Sequence, residues 1–358
     1  MAEQTLIIGA GIYGISIANC LFQQKSPFVI VGRPFDMWKN HTFNSMTLRS
    51  DFPMSEIYHP ASRYSCQNFF LEHDKYSRLI HQHLPVAVFR KYLEWVEKKL
   101  EFSIIKEEVQ NLESGENGDF IATLRSGESI HSKKVIVATG VSSHQNIPRE
   151  LRRSDIKIFH SYEARQIQKI SNSKVLVIGS GQSAGESIEI LLENANHVEW
   201  FGRFRPVYFE QPVNIPAWLF MVILKSMKYI RTMPATLRKY VNSYLSRPTV
   251  MPGFEKIFQN VYRHTQMPDL KHFNQIIAAT GYRENLDNLA FFSNEIKNSI
   301  KTLDNIPAVN KSFESNLAGL YFTGSITSSF FGPSVKFIAG AHFAAPIIAK
   351  DIFRKTGY

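Results

Sequence analysis

The residues with the clearest chemical use in this chain are glycines at fixed spacing. KVLVIGSGQSAGESIEILL (174–192) carries four apolar residues, Val175, Leu176, Val177 and Ile178, straight into Gly179, Gly181 and Ala184. An amphipathic helical pattern follows, so the stretch predicts a buried parallel strand, a tight turn and a helix start. That is the dinucleotide-binding form of a glycine-rich loop. Gly179 permits the turn, Gly181 lets a pyrophosphate approach the backbone, and Ala184 still lets the helix pack closely on its strand. Gln182 and Ser183 open the helix, where free N–H groups and the positive dipole end meet phosphates. LIIGAGIYGISIANCLF (6–22) repeats the arrangement with Gly9, Gly11 and Gly14, and with Ala10, Ile12 and Tyr13 between them. One such loop is often an ordinary packing turn. Two, each after a strand and before a helix, predict two bound nucleotides.

The elements that position these loops need a chain of some size. At 358 residues, 44% hydrophobic and 20% charged, this one has the composition of a globular protein with room for two domains. A formal charge of +10 favours anionic ligands or surfaces. Nucleic acid is not expected, because Lys and Arg are spread out and no nucleic-acid motif occurs. The two cysteines, Cys20 and Cys66, form no C-x-x-C pair, and Cys20 falls on the first helix as a small buried hydrophobe. That usage suits a reducing cytosol, and the start of the chain has no basic n-region or cleavage site, so a cytoplasmic protein without a signal peptide is expected.

In the first unit FVIVG (28–32) is the second strand. An acid at its end usually holds the adenosine ribose. Gly32 and Arg33 stand there instead, so the contact is missing or rebuilt, with Arg33 reaching a phosphate or stacking on adenine. Residues 34–83 are rich in aromatics, His and Ser without a sustained period, which predicts a cofactor-binding region that includes Trp38. Arg49 is a candidate for cofactor phosphate, with a surface pair to Asp51 as the alternative. His81 and His83 lack further ligands at metal spacing and read as loop histidines, so no metal site is expected. A helix is predicted over 85–100 from Phe89, Tyr92, Leu93 and Val96, then short strands ending in KVIVATG at Gly140.

In the second unit HVEWFGRFRP (197–206) ends its strand with Arg203 and Arg205. An Arg there suits the 2′-phosphate of NADPH, and a solvated basic turn is the alternative. IPAWLFMVIL (215–224) is apolar but too short to span a bilayer, and Lys225, Lys228 and Arg231 follow at helical spacing. The segment 215–231 reads as a peripheral membrane helix, a lid over substrate, or a helix packed on the core. FNQIIAATGY (273–282) repeats the ATG ending and sets Thr280 and Gly281 at a matching turn. Gly324 and Ser325 end GLYFTGS (319–325), and Gly332 with Pro333 opens a helix whose N-terminus is free to face a cofactor.

In this order the pieces resemble the NADPH-dependent class B flavoprotein monooxygenases. These include the flavin-containing amine oxygenases, the Baeyer–Villiger oxygenases and the lysine and ornithine N-hydroxylases. The resemblance covers nearly the whole chain through GAGIYG, ATG at Gly140, GSGQSAGE, ATGY at Gly281 and GLYFTGS. GQSAGE is most similar to the amine N-hydroxylases, while SDFP (50–53) and His160 with Ser161 look more like the flavin-containing oxygenases. The resemblance implies an α/β fold of two Rossmann-like domains. The FAD domain takes 1–160 and 283–358, and the NADPH domain, 161–282, is inserted in it with a basic amphipathic insert at 206–266.

It also implies the chemistry: NADPH reduces FAD, reduced FAD takes O2, and a flavin C4a-hydroperoxide oxygenates a small organic substrate, by N-hydroxylation of an amine. The helix near Pro333 then aims its positive end at the flavin, and Asn44 is the position offered for an active-site Asn. The chain departs from the family pattern at Gly32, at Ser325 in place of the usual Asp, and in KIFHSYEAR (157–165), which lacks the glycine before His160. Two rivals remain open: a thiol-free NADPH:flavin-type reductase, and a non-catalytic, membrane-docked nucleotide sensor. Nothing in the sequence sets the oligomeric state or the identity of the substrate.

Overall fold

The computed structural model describes residues 4–79, 82–116, 118–153, 155–208, 217–245 and 249–355. The first glycine loop joins β1 (Thr5–Ile8) to α1 (Ile12–Gln23), and β2 (Phe28–Val31) follows. The aromatic stretch after it holds α2 (Asp36–Asn40), β3 (Thr47–Asp51), α3 (Cys66–Glu72) and β4 (His83–Pro85). α4 (Val86–Lys98) starts behind Pro85 and buries Phe89, Tyr92, Leu93 and Val96 on one face. β5 (Val109–Ser114), β6 (Phe120–Leu124) and β7 (Ser129–Ser132) form an antiparallel meander before β8 (Lys134–Val137).

The second unit begins with β9 (Lys157–His160), α5 (Ala164–Ile167), β10 (Lys174–Ile178), α6 (Gln182–Glu193) and β11 (His197–Phe201). α7 (Ala217–Ile230), α8 (Ala235–Leu245), α9 (Phe254–Gln259), β12 (Tyr262–His264) and β13 (Gln275–Ala278) complete it in sequence. The chain then adds α10 (Asn294–Ser299), β14 (Thr302–Leu303), β15 (Ile306–Pro307), β16 (Leu320–Phe322), α11 (Ser328–Phe331) and α12 (Gly340–Lys355).

Two parallel sheets result, in the orders β16-β8-β1-β2 and β12-β11-β10-β13-β9. Strands covered by helices on both faces need continuous apolar runs, and TLII of β1 and KVIV of β8 are buried at every position. Parallel pairing in matched register brings the ends of β1 and β8, and of β10 and β13, side by side. Both glycine loops therefore open at the carboxyl edge of their sheet, where such folds bind ligands.

Three boundaries differ from the sequence reading. β9 lies inside 1–160 yet pairs residue for residue with β13, from Lys157↔Gln275 to His160↔Ala278, so the second domain begins before Lys157. The insert 206–266 is divided between the domains. β12 pairs with β11, while α7 places Leu224 and Met227 in the core of the first domain and packs with α8 on α11. Finally, the helix expected from Pro333 is only a 3-10 turn over Pro333–Lys336, and α12 starts at Gly340. The Tyr13 hydroxyl lies against the Val335 and Phe337 carbonyls, at 2.6 and 3.0 Å, and so occupies acceptors a continuous helix would use. Residues 209–216 and 246–248, with Ile215 and Arg247, lie outside the described residues. Among the described residues no helix is long and apolar enough to cross a membrane.

Candidate functional site

A cleft of about 890 Å³ runs from the first glycine loop to the start of α6. One wall is Gly9, Ala10, Gly11, Ile12 and Tyr13, with Gly32, Arg33 and Trp38 at one end and Gly140 beside them. Gly324 and Ser325 follow β16, and the segment 334–339 lines the far end with Met46, Arg49 and Met54. Gln182, Ser183 and Glu186 of α6 reach in from the second domain, together with Met251 and Pro252. One continuous space is thus lined by both nucleotide units.

The residues present fit a flavin dinucleotide at the first loop. A Cβ built on Gly11 meets nothing within 4 Å, so this position leaves open space where a pyrophosphate would approach the backbone. A Cβ on Gly14 would stand 1.9 Å from the Gly9 carbonyl oxygen, which is why α1 can lie so close to its strand. Ser325 and Thr323 have buried hydroxyls that meet no partner among the described residues. Buried polar atoms are ordinarily satisfied, so unpartnered hydroxyls at the edge of a cleft fit a polar ligand. Gly32 takes the place of the ribose acid for a steric reason. Its φ is +145°, and a Cβ there would come within 2.7 Å of the Ala10 nitrogen. The carboxylates at this end include Asp36, Glu107 and Glu108, and Arg33 pairs with Glu108 at 2.7 Å.

The second loop is built the same way. Gly179 has φ +145°, Ala184 is fully buried, and Gly181 caps α6. The Ser180 hydroxyl donates to the Phe204 carbonyl at 2.6 Å, which sets exposed Arg203 and Arg205 beside the loop. Gln182 is oriented at both ends: its oxygen accepts from the Met251 N–H at 2.8 Å and its nitrogen donates to Glu186 at 3.0 Å. Burial raises the Glu186 carboxyl to about 7, against the opposing Gln182 hydrogen bond, with Glu189 adding to the rise and Arg49 opposing it. Glu186 is a buried carboxyl facing the space between the two units.

Other expected residues hold the frame. Thr280 donates to the Asn146 carbonyl, and the Gly281 carbonyl accepts from the Asn146 N–H at 3.0 Å. The buried His160 ring accepts at Nδ1 from the Tyr162 N–H, leaving Nε2–H to donate to the Gly281 carbonyl at 2.9 Å. Burial keeps its pKa below the usual histidine value, consistent with this neutral form. Gly332 lies under α7, where a Cβ would come within 2.6 Å of Ile230, and Pro333 opens the short turn beside the cleft. Asn44 is not brought to the cleft lining. It is exposed, and its side-chain oxygen accepts from Arg90 at 2.6 Å. Arg90 also binds the Trp38 and Thr42 carbonyls, so it anchors this stretch on α4.

Arg49 lines the cleft and donates to the Thr249 carbonyl and hydroxyl at 3.2 and 2.7 Å. Glu186, Tyr162 and His83 were not singled out as site residues by pattern. His83 is no loop residue: it sits on β4, lines the cleft and has a buried Nδ1 that meets no partner among the described residues. The signal for Glu186 was present, since it ends the GQSAGE motif, but only the packing of two domains shows where it faces. His81 is outside the described residues.

Comparison with known proteins agrees with this architecture. The uncharacterized oxidoreductase CzcO of Bacillus velezensis is 28% identical over 221 residues, 60% of this chain and 57% of that protein. The putrescine N-hydroxylase of Shewanella oneidensis is 28% identical over 211 residues, 52% of this chain and 40% of its own length. The chain thus spans about half the length of the curated relatives it matches. The solved ornithine N-hydroxylase of Kutzneria sp. 744 superposes with a TM-score of 0.80 over 100% of both chains at 14% identity, a likeness of fold. The pyridine nucleotide-disulphide oxidoreductase profile matches residues 6–324, and the chain belongs to that family.

Proposed function

We propose that this protein is an FAD-dependent, NADPH-consuming monooxygenase that N-hydroxylates a small amine. The observation that carries the reading is the single cleft shared by both nucleotide units, with flavin-fitting residues on one wall and Gln182, Ser183 and Glu186 on the other. The names of the putrescine and ornithine hydroxylases support it. The cysteines argue against disulfide chemistry. Cys20 and Cys66 are both buried, and burial pushes each thiol up to about 12, so neither offers a thiolate for exchange.

FAD, when bound, supplies the two-electron and dioxygen chemistry, and the protein supplies position and exclusion of water. The loop 9–14 would hold the pyrophosphate, Thr323 and Ser325 the polar chain, and Arg33 with Glu107 and Glu108 the adenosine end. Arg203 and Arg205 would receive the 2′-phosphate of NADPH beside the second loop. Gly181, at the start of α6, would let that nucleotide approach the backbone, with Gly179 permitting the turn and Ala184 the close packing of the helix. The protein works in the cytoplasm, with O2 as co-substrate and a peripheral membrane contact through 215–231.

The test is purification followed by parallel NADPH and oxygen consumption against amines, ketones and sulfides. A yellow protein whose consumption rises with amines supports the reading. NADPH oxidation that no substrate accelerates, with electrons passed only to added acceptors, moves it to the reductases.

A further inference from the structure

α7 and α8 form a helical hairpin whose two sides differ. The inner side is docked on the first domain. Leu224 and Met227 are buried in its core, and the Arg231 Nε donates to the Val309 carbonyl at 3.1 Å. The Asn242 side chain donates to the Ser328 and Ser329 carbonyls at 3.3 Å, and Arg238 lies 5.2 Å above the Phe330 ring.

The outer side is exposed at the residues described there. Val222 and Tyr229 on α7 are 54% and 59% exposed, and Leu237 and Tyr240 on α8 are 48% and 69% exposed. Leu219 stands one turn before Val222 and is also exposed, so the α7 residues fall on one stripe. A helix that only packed on its own protein would turn a polar face outward.

Charge selects the partner. Residues 217–245 contain Lys225, Lys228, Arg231, Arg238 and Lys239 and no acid, a net +5 out of the chain's +10. Arg231 and Arg238 are engaged inward. Lys239 lies 3.9 Å from Asp304 with both side chains exposed, a pair too solvated to hold it. α7 has 14 residues, too few to span a bilayer but enough to lie along its surface.

We propose that the α7–α8 hairpin is a docking surface for an anionic lipid bilayer. Both helices lie in the headgroup region, with Leu219, Val222, Tyr229, Leu237 and Tyr240 facing the acyl boundary. This rests on the peripheral contact assigned to 215–231 and extends it to the second helix and to the sign of the lipid charge. The hairpin's inner contacts join that surface to α11 and Gly332, next to the 334–339 wall of the cleft.

The test is co-sedimentation of the full chain with vesicles of phosphatidylcholine, with and without phosphatidylglycerol, at low and high salt. Binding to the anionic vesicles is expected, weakened about tenfold or more by salt or by omission of the anionic lipid. The exposed pairs Val222→Asp with Tyr229→Asp, and Leu237→Asp with Tyr240→Asp, should each weaken it about tenfold while leaving the melting temperature unchanged. No binding at low salt overturns the proposal, as does equal binding to neutral vesicles. A concentration-dependent dimer lost in the same variants, without vesicle binding, makes the surface a self-interface and overturns it too. If only the α7 pair matters, the two-helix surface is wrong while the contact through 215–231 stands.

Discussion

The two nucleotide units share one frame and part at the loop. A Cβ on Gly9 would strike the Ala138 carbonyl at 2.4 Å, and one on Gly179 would strike the Ala279 carbonyl at 2.2 Å. In both units the first glycine lets the strand end press against its neighbour. The third loop position differs. Gly14 has no room for a Cβ, whereas Ala184 carries one and is still fully buried. The second strands also end alike, at Gly32 and Gly202, where a Cβ would press on the Ala10 nitrogen or the Ser180 hydroxyl. Neither site can take a ribose acid. The next residue separates them: Arg33 is paired with Glu108, while Arg203 is exposed beside its loop. The tighter unit supplies most of the cleft lining, and the looser one adds the start of α6 to it.

The largest effect expected from this comparison is on flavin content. Gly11 has φ −83° and open space around it, so Gly11→Val should fold and lose the flavin. Gly181→Val should keep the flavin and lose the response to NADPH. Absorbance of the purified variants decides, and a Gly11→Val protein with full flavin breaks the assignment of the two loops. Next, Gly14→Ala should cost about 3 kcal/mol by overpacking against Gly9, and Ala184→Gly only about 1 kcal/mol through helix propensity. Equal losses in denaturant titrations would mean the two loops are equally tight.

Arg203→Ala should raise the KM for NADPH roughly tenfold or more while leaving that for NADH little changed, since a charged hydrogen bond contributes about 1.5–3 kcal/mol. Equal changes would remove the 2′-phosphate role and point to Arg205. The smallest effect concerns Glu186. Its folded-state pKa of about 7 lies above the ordinary 4.5, so between these values the folded protein keeps a proton the unfolded chain has lost. Its contribution to stability therefore falls as pH rises from about 4.5 to about 7, then levels off. Glu186→Gln should remove that fall, so the variant's gain in Tm should be larger at about pH 8 than at about pH 5. A gain independent of pH would contradict the buried, protonated carboxyl.

Much of the fold was legible because its signals are local. The apolar runs of β1, β8, β10 and β13 run into glycine turns, and each needs only neighbouring residues to be recognised. The resemblance of GQSAGE and the ATG turns then ordered the domains. What could not be read depends on distant packing. α12 begins at Gly340 rather than Pro333 because Tyr13 binds carbonyls more than 300 residues away. Arg49 reaches Thr249 across the cleft, and Glu186 is a site residue only because α6 faces the flavin side. The docked inner side of α7 was one of three open readings. Leu224 and Met227 show that core packing is part of the answer, and the exposed outer stripe leaves the surface contact standing.

The central claim is that electrons from NADPH bring oxygen into a substrate. The direct test is turnover of the flavin-loaded protein under labelled dioxygen, with NADPH and the amine that most accelerates consumption, followed by mass spectrometry of the product. The account predicts a hydroxylamine that carries one labelled oxygen atom for each NADPH consumed. An unlabelled amine recovered in full, with the oxygen returned as hydrogen peroxide or the electrons passed to another acceptor, would contradict it.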